Sequence, residues 1–197
     1  MIQTVVKCLL LSFLFLGYSF AFANTPVQSK PSSPPASQKP APSAITIEVL
    51  ENKYKRLGSG KLTWFGFSVY RSALFTASGS FSDVKSERPL MLVIQYLRDI
   101  DKSDLIKRTY KEWKRLPHYD EKQFAAWRDD LDRIWPEIKE NDRLACVIEA
   151  DGSTSFYGNK GLLGRIPDKE FGWNFISIWL AETTSEKSLR KKLLGID

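Results

Sequence analysis

The segment Pro89–Trp113, PLMLVIQYLRDIDKSDLIKRTYKEW, constrains the fold more than any other part of the chain. Leu90–Leu97 is almost continuously apolar and rich in β-forming residues, the pattern of a strand buried on both faces. Arg98-Asp99-Ile100-Asp101 interrupts it. From Ser103 the apolar residues fall at helical spacing, at Leu105, Ile106, Thr109, Tyr110, Trp113 and Leu116. A buried strand feeding straight into an amphipathic helix implies an α+β domain, a sheet with helices laid on one face.

The N-terminal region has a different character. Lys7 precedes an apolar run from Cys8 to Phe22, and Ala21-Phe22-Ala23 stands before Asn24. Small residues at those two positions fit a signal-peptidase site and the run is short for a full span, so residues 1–23 are expected to be a signal peptide, cleaved after Ala23, for export to the periplasm or beyond, with an uncleaved membrane anchor as the rival reading. Cys8 opens the apolar run after Val-Val-Lys and does not suit a lipoprotein site. Asn24–Ala44 is Pro/Ser-rich without an aromatic residue, the composition of an extended, disordered linker. A single folded domain is expected over 45–197, long enough for a full core.

The formal net charge is +6, of which only Lys7 belongs to the signal. The excess is spread out. Lys187, Arg190, Lys191 and Lys192 form its densest cluster, at the end of a helix where cations offset the macrodipole. No aromatic–basic interleaving points to nucleic acid, while contact with an anionic membrane surface is compatible with the charge. Without the signal one cysteine remains, Cys146, so no intramolecular disulfide can form, and its place in LACVI makes it a small core residue.

Along the domain, Ile45, Ile47 and Val49 alternate with polar residues and predict a first strand. Leu57–Gly60 reads as a turn, and Lys61–Thr76 as one long central strand bent at Gly66. Ala77–Arg88 is polar loop. Asp101 or Ser103 can cap the helix that follows the buried strand, and Pro117 ends its segment. A second helix starts after Asp120 with Gln123 as its capping partner, carries Phe124, Trp127, Leu131, Ile134 and Trp135, and stops at Pro136. Asp151-Gly152 marks a hairpin between strands at Arg143–Ala150 and Thr154–Tyr157. Asn159-Lys160-Gly161 turns into Leu162–Ile166. Two helices close the chain, one opened by Pro167-Asp168, the other ended by Gly195.

Most catalytic constellations are excluded. The single histidine, His118, lies in the Pro117–Asp120 connector, so neither a histidine-based triad nor a two-histidine metal site is expected, and no phosphate-binding glycine loop occurs. No cofactor or metal is implied. Asp129, Asp130 and Asp132 read as solvated helix charge, and Asp99 beside Arg98 as a half-buried ion pair closing a strand end. What remains is aromatic wealth, 13% of the chain, which fits either a large core or an aromatic-lined cleft between sheet and helices.

Several segments resemble the bacterial chalcone isomerase-like proteins. Trp64–Phe75, WFGFSVYRSALF, resembles their aromatic strand, and Gln95–Ile100, QYLRDI, their YLRDI segment. Phe156–Lys160 through Leu163–Ile166 resembles a late hairpin, while Phe175–Leu180 and Ser188–Gly195 resemble the closing helices. The resemblance runs over about Gly60–Gly195. It implies a chalcone isomerase-like fold: a mostly antiparallel sheet with a layer of helices on one face and a cleft between them. It also implies two activities found in that superfamily, cyclisation of chalcones and fatty-acid binding in the same cleft.

Residue by residue, the resemblance puts Phe65 where the enzymes carry a threonine. It puts Asp104 and Lys111 near their helix tyrosine and asparagine, and Ser177 near a late polar residue. The pocket arginine has only Arg56 or Lys61 as counterparts. Loss of these donors predicts no cyclisation, because that chemistry needs cations and donors around an enolate-like oxygen. The expected function is binding of an apolar small molecule such as a fatty acid. Candidate ligand-binding residues are Arg56, Lys61, Phe65, Tyr70, Tyr96 and Ser177, with Arg71 a further partner for a carboxylate. An isomerase or intramolecular lyase on another substrate, and a scaffold with no ligand, stay open as alternatives, as does the oligomeric state.

Overall fold

The computed structural model describes residues 45–83, 85–117 and 119–196. The expected signal peptide and linker lie outside the described residues, as does His118. Six strands form one sheet in the order β1-β2-β3-β4-β5-β6, every neighbouring pair antiparallel. They are β1 Lys55–Trp64, β2 Phe67–Thr76, β3 Leu90–Tyr96, β4 Arg143–Ile148, β5 Thr154–Gly158 and β6 Gly161–Ile166. Among the described residues five helices accompany them: α1 Ile47–Lys53, α2 Lys102–Trp113, α3 Glu121–Ile134, α4 Lys169–Leu180 and α5 Lys187–Leu194. The expected α+β arrangement is present.

Strand β3 behaves as its composition demands. Leu90, Leu92, Ile94 and Tyr96 enter the core under α2–α5, while Met91 and Val93 enter a smaller core on the opposite face. That second core is covered by α1 through Ile47, Leu50 and Tyr54. The expected first strand is therefore a helix. Over so few residues an alternating pattern and an i, i+3 pattern coincide. Packing decides between them, because Ile47 and Leu50 are buried while Ile45 and Val49 stay exposed.

The segment expected as one bent strand is a hairpin. Phe65 and Gly66, with φ of 48° and 81°, are the two central residues of a tight turn between β1 and β2. Positive φ at both is the requirement of the primed hairpin turns. The turn expected at Leu57–Gly60 lies instead inside β1, and its glycines serve close approach. A Cβ on Gly58 would stand 2.1 Å from the Lys192 carbonyl oxygen, and one on Gly60 would stand 2.6 Å from Leu189 Cδ1, so α5 can lie directly on β1.

Two further local expectations change. Asp101 occupies the N-cap position of α2 but makes no side-chain cap; the Lys102 N–H donates instead to Glu137 Oε2 at 2.8 Å. Asp99 does not pair with Arg98. It lies exposed, accepting from Lys139 Nζ at 3.0 Å and from the Glu140 N–H at 2.8 Å. The Glu140 bond first, then Lys139, holds the Asp99 carboxyl below the ordinary carboxylate range. The α3 cap forms as expected, the Gln123 N–H donating to Asp120 Oδ1 at 2.8 Å. Gly195 ends α5 in the left-handed conformation.

Candidate ligand-binding cavity

The helix-side core is densely packed at one end only. There the edge of the Trp113 ring meets Phe124 at 5.0 Å between centroids, Trp127 at 6.0 Å and Phe171 at 6.1 Å, while Phe171 and Phe175 stack at 5.4 Å. The Trp127 indole N–H donates to Asp168 Oδ2 at 2.9 Å, fastening α3 to the start of α4. Toward α2 and β2 the side chains stop meeting, and a cavity of about 320 Å³ opens between sheet and helices.

Its floor is the helix-facing row of the sheet, Leu92, Ile94, Leu144, Cys146 and Phe156. Its roof is Leu105 and Thr109 of α2 with Phe175, Ile178 and Trp179 of α4. Leu62, Trp64 and Val69 close the hairpin side, and Trp135 a further wall. Among the described residues the buried Trp135 indole N–H has no hydrogen-bond partner. The Cys146 thiol is pushed far up by burial, which keeps it protonated and unreactive.

Two phenols give the cavity a polar wall. Tyr70 and Tyr96 are cross-strand partners whose rings meet edge-on at 6.2 Å. The Trp179 indole N–H donates to the Tyr70 hydroxyl at 2.8 Å, which leaves the Tyr70 proton available. Among the described residues nothing bonds the Tyr96 hydroxyl. Burial raises both phenols well above their ordinary 10.0, so each remains an O–H donor at any physiological pH.

The charges sit along one edge. Asp104, Arg108 and Glu112 recur every four residues on α2, alongside Leu105 and Thr109, and all five line the cavity. Glu112 is buried. Its Oε1 lies 2.9 Å from Arg108 Nη2 but out of line with the N–H, so that contact is Coulombic. Arg115 at 3.4 Å and the Ser185 hydroxyl at 3.2 Å hold its other oxygen. Arg108 itself is half exposed. Asp104 is matched by Lys107 at 3.1 Å. Glu186, Arg108 and Glu112 all act on the Tyr70 charge, which places the phenol beside this edge. Among the described residues no cluster suited to a metal ion occurs.

Of the residues singled out from sequence, Tyr70 and Tyr96 line this cavity together. Phe65 does not; it is 83% exposed at the hairpin turn. Ser177 is buried within α4, its hydroxyl donating to the Trp173 carbonyl at 2.6 Å. Arg56, Lys61 and Arg71 line a separate, open groove of about 700 Å³, with Arg143 and Lys192. Register explains the split: Arg56, Lys61 and Arg71 sit opposite or beside Phe75 and Ala73, which belong to the α1 face. Arg108 and Glu112 escaped the sequence reading. Their signal was an i, i+4 ion pair on the apolar side of α2.

A family model of chalcone isomerase-like proteins matches residues 41–195. The chain belongs to the chalcone isomerase-like family. An uncharacterized protein of Haemophilus influenzae is 30% identical over 142 residues, 72% of this chain and 68% of the relative. Among solved structures, a fatty-acid binding protein of Arabidopsis thaliana superposes with a TM-score of 0.54 at 11% identity, covering 78% of this chain and 90% of that one. At that identity the likeness establishes the fold, and the chalcone isomerase-like architecture expected from the sequence is the one observed.

Proposed function

We propose that this chalcone isomerase-like protein binds a fatty acid, tail in the apolar cavity and carboxyl at the Tyr70–Tyr96–Arg108 edge. The observation that carries the reading is the cavity itself: a largely apolar space between sheet and helices whose polar groups gather along one edge, the layout of a site for an amphiphile. The fatty-acid binding named for the Arabidopsis structure supports it. At roughly 30 Å³ per water-sized group, about 320 Å³ admits roughly ten methylenes. Each contributes about 0.8 kcal/mol on leaving water, enough together to offset the cost of association. Medium-length chains therefore suit this cavity best.

The reading includes two further proposals. The protein does not cyclise chalcones: Phe65 lies outside the cavity and Ser177 is bonded within its helix, so neither offers a donor to an enolate-like oxygen. Efficient turnover of a chalcone would overturn this. The protein also acts in the cell envelope, as its N-terminal signal pattern suggests; the N-terminal residue of the purified protein tests this.

The deciding experiment is native mass spectrometry with a series of saturated fatty acids and the matching alcohols. A one-to-one adduct strongest near ten to twelve carbons is expected. Arg108→Gln should weaken binding of the acids about tenfold, as loss of a charge-assisted contact does, and spare the alcohols. Absence of any adduct across the series would overturn the reading.

A further inference from the structure

The β1–β2 hairpin ends in three aromatic side chains that the core does not bury. Trp64, Phe65 and Phe67 are 63%, 83% and 70% exposed, the Trp64 and Phe65 rings 5.0 Å apart. Phe65 is the sharpest case. At φ 48° it holds a conformation that suits asparagine, aspartate or glycine, and it buries little in return. Neither turn formation nor core packing accounts for a phenylalanine there.

Just behind the tip the sheet carries cations without counter-ions. Lys61 faces Arg71 across β1 and β2, and the same row continues through Gln95 to Arg143. Like charges directly opposite destabilise a sheet. Arg143 is neutralised by Glu48 at 2.8 Å and Glu51 at 2.5 Å. Among the described residues no carboxylate pairs with Lys61 or Arg71, nor with Arg56 or Lys192 in the same groove. Lys61 lies three residues from Trp64, about 10 Å along the strand. That spacing matches the interface of a bilayer, where aromatic rings sit at the headgroup–acyl boundary and cations meet the phosphates.

We propose that the β1–β2 hairpin docks the protein on an anionic phospholipid bilayer, with the aromatic tip inserted and Lys61 and Arg71 against lipid phosphates. Trp64 belongs to both the tip and the cavity wall, so docking sets the cavity beside the membrane. The docking stands on the exposed rings and the unmatched charges, whichever molecule the cavity holds.

The test places an environment-sensitive fluorophore on Thr63→Cys in a Cys8→Ser background; Cys146 is buried and does not react. The full chain is mixed with vesicles of phosphatidylcholine, with or without phosphatidylglycerol, and no added fatty acid. A dye at residue 63 reports the hairpin however the N-terminal region behaves. A blue shift is expected with phosphatidylglycerol, weakening as salt rises. Lys61→Gln and Arg71→Gln should each weaken it about fivefold. Phe65→Asn, which favours the turn and so keeps the fold, should weaken it about tenfold. No shift at low salt, or an equal shift on pure phosphatidylcholine that the glutamines leave untouched, overturns the proposal. So does self-association abolished by Phe65→Asn, which would assign the tip to a second copy.

Discussion

The two ends of the helix-side layer are built from similar residues and do opposite things. At the α3 end, Trp113, Phe124, Trp127 and Phe171 meet at ring distances near 5 to 6 Å and leave no space. At the β2 end, Tyr70, Tyr96, Trp179 and the floor of Leu92, Ile94 and Cys146 surround a cavity. Phe156 and Phe175 touch both, packed into the aromatic cluster on one side and bare to the cavity on the other. Aromatic content alone therefore decides neither core nor cleft. Shape decides: broad rings from α2, α3 and α4 interlock at one end, and α2 brings Leu105, Thr109 and charges rather than rings to the other. The packed end braces the walls, which lets the other end keep a cavity.

The largest expected effect comes from breaking the packed end. Trp113→Ala removes the ring at the centre of the cluster and should destabilise the domain by about 3–5 kcal/mol in chemical denaturation. Ile94→Ala, a truncation on the cavity floor, should fall near 2 kcal/mol, because that side chain already lacks neighbours on one side. Equal costs for truncations of matched size at the two ends would mean that the cavity collapses in solution and the contrast is not real.

The second effect is on binding, with little on stability. Ile94→Phe directs extra carbon into the cavity. In a filled core such a change would force strain of about 1–3 kcal/mol. Here the added atoms enter empty space, so stability should stay within about 1 kcal/mol of the parent while fatty-acid binding by mass spectrometry is lost. Strong destabilisation would show that the space is not available.

How much of this was legible in the sequence follows the same divide. Buried strands, helix caps and the Asp151-Gly152 hairpin show locally, because period, Asp120 with Gln123, and turn residues each act within a few positions. Tyr70 and Tyr96, on strongly patterned strands, do line the cavity. Arg56 and Lys61 line a separate groove for a physical reason: their face is set by strand register, and β1 carries irregularities at Arg56/Gly58 and Leu62/Thr63 that period-two reasoning cannot see. The β1–β2 turn hid behind an aromatic residue where asparagine or glycine normally signals it. Helix α1 was too short for its period to show.

The smallest effect uses titration to separate the two ends. Trp113, Phe124, Trp127 and Phe171 carry no titrating group, and only Tyr119, against Phe124 on the surface side, is raised there; the cavity carries Tyr70, Tyr96 and Cys146, all raised chiefly by burial. A raised acid is neutral in the fold and ionises more readily once unfolded. Its contribution is therefore intact below the unfolded value and is lost as pH climbs from there toward the folded one. Those unfolded values are 9.0 for the thiol and 10.0 for the phenols. Denaturation midpoints should hold up to pH 9 and then fall, by about 1.4 kcal/mol per pH unit for each group engaged. Cys146→Ala should remove the loss between pH 9 and 10. Tyr96→Phe should flatten the slope above pH 10 and leave neutral-pH stability nearly unchanged, because no protein group bonds the hydroxyl it removes. A loss that persists in both variants would place the alkaline sensitivity outside the cavity, at phenols such as Tyr119 and Tyr157 that are also raised.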